Sequence, residues 1–307
     1  MRQACLEKVY ELAQKDQRVI FIGSDLGTGT LDKFKQEMPD RFLMEGISEA
    51  NIIGMAAGLA MEGKVPYINT IASFLTRRCF EQIVIDLCLH QVNVRLLGSG
   101  GGLVYAPLGP THEAIEDMAI LRAVPHMTIV APADAGEMGR LMDKTLDYQG
   151  PVYIRVAKGG DPVVTSDQMP FEIGKVFSMR AGKDALIITT GITLKHALDA
   201  AHHLHEEGVD AAVLHVPTLK PLDKETILAH VALVPAVVTI EEHTLMGGLG
   251  SAVAEMIAEA NFNPSKRFKR IGIPDVFPDQ YGSQATLMDH YGINAQRIIS
   301  TVKQLIG

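Results

Sequence analysis

The sequence predicts an α/β protein of two domains, each a mostly parallel sheet flanked by helices. Three observations carry that expectation. Short, almost unbroken apolar runs alternate with stretches whose apolar residues recur at helical spacing, as when helices cover both faces of a parallel sheet. The alternation breaks once, at 157–172. There Ala157-Lys-Gly-Gly-Asp-Pro162 and the polar run from Thr165 to Pro170 gather turn formers, and the segment reads as a linker between domains at 1–156 and 173–307. Length agrees, since 307 residues, 47% hydrophobic and 21% charged, hold enough apolar material for two cores.

Leu6, Val9, Tyr10 and Ala13 recur at helical spacing, and Val19-Ile-Phe-Ile22 reads as a buried strand stopped by Gly23. Ile52 to Ala60 reads as helix and Val65 to Asn69 as strand. Phe80 to Leu89 (helix) and Val94 to Leu97 (strand) follow, then Ala114 to Leu121 and Thr128 to Ala131, then Glu137 to Leu146 and Val152 to Val156. Beyond the linker come a strand at Ala185 to Thr190, a helix to Glu207, a strand at Ala211 to Val216 and another helix. Ala236 to Ile240 is a strand, a helix starts at Ser251, a strand lies near Ile271, and the last helix runs from Asn294 to Leu305. Periodicity does not separate short buried strands from buried helical segments, so a mainly helical first domain is the alternative.

The formal net charge of −8 argues against non-specific binding to nucleic acid, which needs a basic face. It leaves room for anionic small substrates, which need only one or two local cations. Cys5, Cys79 and Cys88 are scattered and odd in number, which fits a reducing compartment rather than a disulfide framework. No apolar run approaches the roughly 18 residues that span a bilayer. The first residues lack the pattern of a signal peptide, so a cytoplasmic location is expected.

In open α/β sheets ligands bind beyond the carboxyl ends of the strands, and four loops there stand out. Gly23-Ser-Asp-Leu-Gly-Thr-Gly-Thr30 is glycine-rich but lacks the Lys-Ser/Thr ending of a phosphate loop; Asp25 is either a cap or a site residue. In Glu45-Gly-Ile-Ser-Glu-Ala-Asn51, Ser48 is a plausible N-cap that puts Glu49 at the first helical position. An acid there is readily explained by the helix dipole. The small residues Gly54, Ala56, Ala57, Gly58 and Ala60 that follow point instead to a deeply packed helix, in which a buried carboxylate needs a partner or a proton. In Ile71-Ala-Ser-Phe-Leu-Thr-Arg-Arg-Cys-Phe80, Phe74 and Phe80 are either core or stacking surfaces, and Arg77 and Arg78 either solvated or engaged. The long loop from Gly98 to Glu113 places His112 at an expected helix start, as a cap, a core histidine or a site residue. Arg155 ends an apolar strand as a fixed cation able to hold an anion.

Taken in order, Glu45 to Ala60, the Ser-Phe-Leu segment, Gly-Pro-Thr-His112, Ile129-Val-Ala-Pro-Ala-Asp134 and Pro151-Val-Tyr-Ile-Arg155 resemble the pyrimidine-binding domain of the transketolase family. Thr239-Ile-Glu-Glu-His-Thr-Leu-Met-Gly-Gly-Leu-Gly250 resembles that family's C-terminal domain. Gly272-Ile-Pro-Asp275 and Tyr281-Gly-Ser-Gln284 look closer to deoxyxylulose-phosphate synthases and oxoacid dehydrogenase beta subunits.

The resemblance implies a thiamine-diphosphate enzyme whose cofactor lies at a subunit interface. Such enzymes hold diphosphate and magnesium through a Gly-Asp-Gly motif, and this chain has none. It therefore resembles the C-terminal subunit of a split transketolase. An N-terminal diphosphate-binding subunit would supply the missing half and the Mg2+ site, in a heterotetramer with two copies of each chain. By the same resemblance, Glu49 is the carboxylate that meets the aminopyrimidine, with Phe74, Arg77, Phe80 and Asp25 around the cofactor. His112 would act on the substrate, with Arg155 gripping its phosphate and Asp25 beside the channel.

Two departures bear on the substrate. Leu108 stands where many transketolases have Asp, and Gly100 where they have a phosphate-binding His. These point to a modified or less hydroxylated sugar. The implied reaction is transfer of a two-carbon ketol unit between a ketose and an aldose. A deoxyxylulose-phosphate-synthase-like reaction, an oxoacid dehydrogenase beta subunit and a non-catalytic binding or regulatory subunit are the competing readings.

Overall fold

In the computed structural model, which describes residues 1–24, 29 and 31–307, the strands form two sheets. The elements run α1 (Arg2–Lys15), β1 (Val19–Gly23), α2 (Asp32–Glu37), β2 (Phe42–Met44), α3 (Glu49–Met61), β3 (Val65–Ile71), α4 (Ala72–Arg77) and α5 (Phe80–Gln82). Next come a π-helical stretch at Ile83–Leu89, then β4 (Arg95–Ser99), α6 (Asp117–Arg122), β5 (Thr128–Val130), α7 (Ala135–Thr145) and β6 (Val152–Val156). The rest of the chain forms β7 (Phe177–Arg180), β8 (Ala185–Thr189), α8 (Leu194–Glu206), β9 (Ala211–His215), β10 (Thr218–Lys220), α9 (Lys224–Ala232), β11 (Ala236–Thr244), α10 (Leu249–Ala260), β12 (Arg267–Ile273), α11 (Gln284–His290) and α12 (Ala295–Ile306).

The first sheet has the order β10-β5-β6-β4-β3-β1-β2 and is parallel except for β10 at its edge. The second, β12-β11-β8-β9-β7, is parallel except for β7 at its edge. Side-chain alternation along the strands sorts the apolar residues onto faces. Val19 and Phe21 join the core beneath α1 and α7. Ile20 and Ile22 point the other way, toward α3 and the π-helical stretch. That second core also contains Leu186, Ile188, Ala212 and Leu214 of the second sheet, so the two sheets share one apolar interior. Ala185, Ile187 and Ile240 face the outer side of the second sheet, against α8 and α12. The strand β10 crosses from the second half of the chain to pair with β5, which ties the halves further.

Several elements depart from expectation. The helix expected from Ala114 begins at Asp117, because Ala114 and Gly102 exchange two backbone hydrogen bonds of 2.9 and 3.0 Å. The helix expected over Phe80 to Leu89 winds into π geometry after Gln82. Ser48 sits at the N-cap position of α3, but its hydroxyl turns back to donate to the Glu45 carbonyl at 2.8 Å instead of capping. Asp25 lies outside the described residues.

Asp134 anchors the segment between the sheets. It caps α7 by accepting from the Glu137 amide at 2.8 Å, and it takes the amides of Val164 and Thr165 at 2.8 and 2.7 Å. The Thr165 hydroxyl donates at 2.9 Å. Burial alone would raise the Asp134 pKa, but these four donors outweigh it and hold the carboxyl below its ordinary value. Asp134→Ala is expected to destabilise the chain by roughly 2–3 kcal/mol, from a lost cap and lost charge-assisted bonds. Because the folded pKa is depressed, Asp134 stabilises the fold above its unfolded value and loses that contribution as pH falls through the folded one. The gap between wild type and variant in thermal melts should therefore narrow in acid; a constant gap from pH 7 to pH 3 contradicts this account.

Candidate active site

The segments leaving β2, β3, β4 and β6 lie at one edge of the first sheet, at the carboxyl ends of the parallel strands. The loop after β2 delivers Glu49 to the first turn of α3, 5% exposed. The buried face of that helix is Ile52, Ile53, Ala56 and Ala57, while Gly54 and Gly58, expected to pack closely, lie exposed. β3 turns directly into α4, which carries Phe74 and Arg77, and Arg78 follows at its end. Arg78 Nη1 donates to Glu49 Oε2 at 3.2 Å, and the same guanidinium lies 3.7 Å from the centre of the Phe74 ring. His112 packs on Phe74, with ring centres 5.0 Å apart and planes tilted by 59°. Tyr105 approaches His112 edge-on at 6.4 Å. Glu49 and Phe74 are thus joined through Arg78, and His112 packs on the same ring.

The loop bearing His112 is held from α4. The Ser73 hydroxyl donates to the His112 carbonyl at 3.1 Å. Arg77 donates to the carbonyls of Pro110 at 3.2 Å and Glu113 at 2.7 Å, on either side of Thr111 and His112, and pairs with Glu116. Arg77, expected beside the cofactor, is therefore taken up by the loop of His112 and by Glu116. Phe80 is exposed on α5. The His112 ring shares a 2.9 Å hydrogen bond through Nδ1 with the Thr111 hydroxyl.

Arg155 is also placed differently from expectation. It is buried, with Nε on Asp117 Oδ2 at 2.9 Å and Nη2 on Asp117 Oδ1 at 3.0 Å. Nη2 also donates to the Ala114 carbonyl at 2.9 Å and Nη1 to the Glu242 carbonyl at 2.8 Å. Four bonds to the protein leave it an internal tie rather than an open cation. It packs so closely on Gly101 that a Cβ there would collide with its side chain, which accounts for glycine at that point of the loop. Gly100 has φ of +81°, which favours glycine, and its Cα faces the Tyr105 ring.

Two buried acids flank this loop, and sequence patterns did not single them out. Glu242 of β11 accepts from the Leu103 amide and from Gln284 Nε2, both at 2.8 Å. Glu113 is 1% exposed, and neither carboxylate oxygen has a hydrogen-bond partner among the described residues. Burial pushes both carboxyls up to about 7, and each is also influenced by the charges around it: Arg77 lowers and Glu242 raises the Glu113 value, while Arg155 lowers that of Glu242. Among the described residues, no group of three or more His, Cys, Asp or Glu is placed to hold a metal, and no helix is long and apolar enough to cross a membrane. The three cysteines are buried and unpaired.

An acid with a raised folded pKa favours the fold below its unfolded value and loses that contribution as pH rises through the folded one. For Glu113 the window runs from about 4.5 to about 7. Glu113→Gln should therefore gain stability relative to wild type as pH rises from 5 to 8, by roughly 2–3 kcal/mol. Denaturant unfolding at the two pH values checks it, and an unchanged difference counts against a buried neutral Glu113.

Known proteins share this fold and part of its sequence. Residues 1–160 match the family model described as the transketolase pyrimidine binding domain, and residues 174–298 match the transketolase C-terminal domain. The 6-deoxy-6-sulfo-D-fructose transketolase subunit SqwH of Clostridium sp. (strain MSTE9) is 35% identical over 306 residues, covering 99% of this chain and 94% of its own. An apulose-4-phosphate transketolase subunit of Phocaeicola vulgatus is 36% identical, over 99% of this chain and 97% of its own. A 1-deoxy-D-xylulose-5-phosphate synthase of Synechococcus is 37% identical over 95% of this chain, which corresponds to 45% of that enzyme. A solved split-gene transketolase, described as an inactive beta4 tetramer, superposes with a TM-score of 0.91 at 36% identity, over 99% of this chain and 97% of its own.

Proposed function

The chain belongs to the transketolase family, as a subunit of a split enzyme, and from that premise we propose that it forms the pyrimidine half of a site for thiamine diphosphate completed by a second polypeptide. The observation that carries this reading is the contact chain Glu49–Arg78–Phe74–His112: a buried carboxylate, an aromatic surface and a histidine at one strand-end cluster. These residues fit an aminopyrimidine, which needs a carboxylate for a ring nitrogen and a flat apolar neighbour. They offer nothing for a diphosphate. The sequence has no Gly-Asp-Gly, so that motif and the Mg2+ it holds are assigned to the partner. Exposed Ile47, Phe80, Ile85 and Leu89 lie on the segments flanking Glu49, which supports a partner chain seated there. A heterotetramer with two copies of each chain, in the cytoplasm, completes the reading.

The cofactor, when bound, supplies a carbon nucleophile and an electron sink for ketol transfer. The work of this chain is to bind, orient and move protons. Glu49 would hold the pyrimidine ring nitrogen and could share a proton there, and Phe74 would supply an apolar surface beside it. His112, held through its backbone by Ser73 and flanked by the Arg77 bonds, faces the substrate and handles a proton at a hydroxyl or carbonyl oxygen. Leu108 and Gly100 leave the loop poorer in polar groups than the family pattern, which supports a sugar short of hydroxyls or carrying an unusual anionic group. The named relatives act on a sulfonated sugar and on apulose 4-phosphate, which accords with that range. The 37% identity to a deoxyxylulose-phosphate synthase favours a second reading, with pyruvate as donor.

Mixing this chain with a candidate partner that carries Gly-Asp-Gly, thiamine diphosphate and Mg2+ should yield ketol transfer, whereas full activity of this chain alone contradicts the split site. Carbon dioxide release from pyruvate selects the second reading. Glu49→Gln should lower turnover by at least about 100-fold without preventing assembly. Near-normal rates would remove Glu49 from the mechanism.

A further inference from the structure

Two consecutive arginines, Arg77 and Arg78, leave α4 in different directions. Arg77 holds the loop of His112, while Arg78 reaches Glu49. The second contact answers a physical need. Glu49 is 5% exposed, and a buried carboxylate lacking a compensating partner is costly. Only Arg78 donates a hydrogen bond to it among the described residues, and that bond reaches Oε2; none reaches Oε1. The outer torsion of a glutamate is broad and roughly two-fold, so burial alone does not fix which oxygen faces a ligand. A guanidinium does fix it, because it is planar, always charged and has no acceptor to offer in exchange. Arg78 is itself braced, since it lies over the Phe74 ring at 3.7 Å.

We propose that Arg78 is a positioning residue for the cofactor's pyrimidine: by holding Glu49 Oε2 while braced on Phe74, it leaves Oε1 as the oxygen presented to the ring nitrogen. The proposal rests on the reading of Glu49 given above. It makes Phe74 a support as well as a packing surface, because the ring steadies the arginine that orients the acid. It also assigns a role to a half-exposed arginine that sequence pattern alone leaves among solvated residues.

The opposite arrangement has a distinct signature. A guanidinium stacked on Phe74 and bonded to Glu49 makes two of the contacts an aminopyrimidine would make. If Arg78 stood in the ring's place and left on binding, its removal would strengthen cofactor binding. The test is the affinity of the assembled two-chain enzyme for thiamine diphosphate with Mg2+, measured by titration calorimetry for wild type, Arg78→Ala, Arg78→Gln and Arg78→Lys. Positioning predicts binding weakened roughly tenfold in Arg78→Ala, with partial recovery in Arg78→Lys. Tighter or unchanged binding overturns it.

Thermal midpoints of the same proteins separate a folding defect from a lost orientation. If Arg78→Ala fails to assemble, Arg78→Gln and Arg78→Lys, which fill the same space, carry the comparison. Glu49→Gln is run in parallel. If it leaves affinity and turnover intact, the reading of Glu49 fails; if it abolishes turnover while the Arg78 variants bind as wild type does, only the role of Arg78 fails.

Discussion

A guanidinium can be buried only where its N–H groups find acceptors and its charge finds a counter-ion, and at Arg155 the fold is arranged around that requirement. Asp117, the first residue of α6, provides both oxygens. It also receives the Tyr153 hydroxyl at 2.6 Å, so two residues of β6 converge on one carboxylate. The remaining bonds go to Ala114, in the loop that carries the site histidine, and to Glu242, in the second sheet. One ion pair thus ties a strand, a helix start, the loop of His112 and the neighbouring sheet together. Gly102, which exchanges two bonds with Ala114, has φ of +68° and lies so close to Glu242 that a Cβ there would collide with it, as one on Gly101 would with Arg155.

The same arrangement explains the acids around it. With Asp117 compensating Arg155, little positive charge is left for Glu242 and Glu113, and burial dominates both. Glu242 survives through hydrogen bonds from Leu103 and Gln284, which latch the second domain to the glycine loop. Glu113 has no such donors and is most easily accommodated as a neutral acid. Beside the apolar interior that the sheets share, these buried acids and Arg155 form a polar contact between the halves of the chain.

Much of the fold was legible in sequence because strand burial leaves a direct trace. Runs such as Val19 to Ile22 and Ala236 to Ile240 became strands buried along their whole length. Glu49 is buried, but not because the small residues after it all pack: Ile52, Ile53, Ala56 and Ala57 face the core, while Gly54 and Gly58 are exposed. Residue identity did not reveal whether a cation is open or consumed. Arg77 and Arg155 both stand at strand or helix ends, where a free guanidinium is plausible, and both are taken up by acids far along the chain. Arg78, beside Arg77, is the one that reaches Glu49, and the doublet itself does not say which arginine turns which way. The start of α6 was placed too early because Ala114 pairs with a loop twelve residues back, a contact that helical periodicity cannot register. The crossing of β10 to the first sheet was equally invisible, since three residues, Thr218 to Lys220, carry no period of their own.

A cofactor with an apolar ring at one end and a diphosphate at the other asks two incompatible things of a protein. The ring wants a dry pocket in which one carboxylate can share a proton. The diphosphate wants cations and backbone amides open to anions. The proposed reading gives this chain the first task, which agrees with a formal charge of −8 and with Arg77, Arg78 and Arg155 each paired to an acid of the chain itself. Placing the second task on another polypeptide involves no chemical compromise, because the two ends of such a ligand are far enough apart to be read by separate surfaces. On the proposed reading, Glu49 belongs to the ring side of that division, and the contacts within this chain that hold it are the start of α3 and Arg78 resting on Phe74.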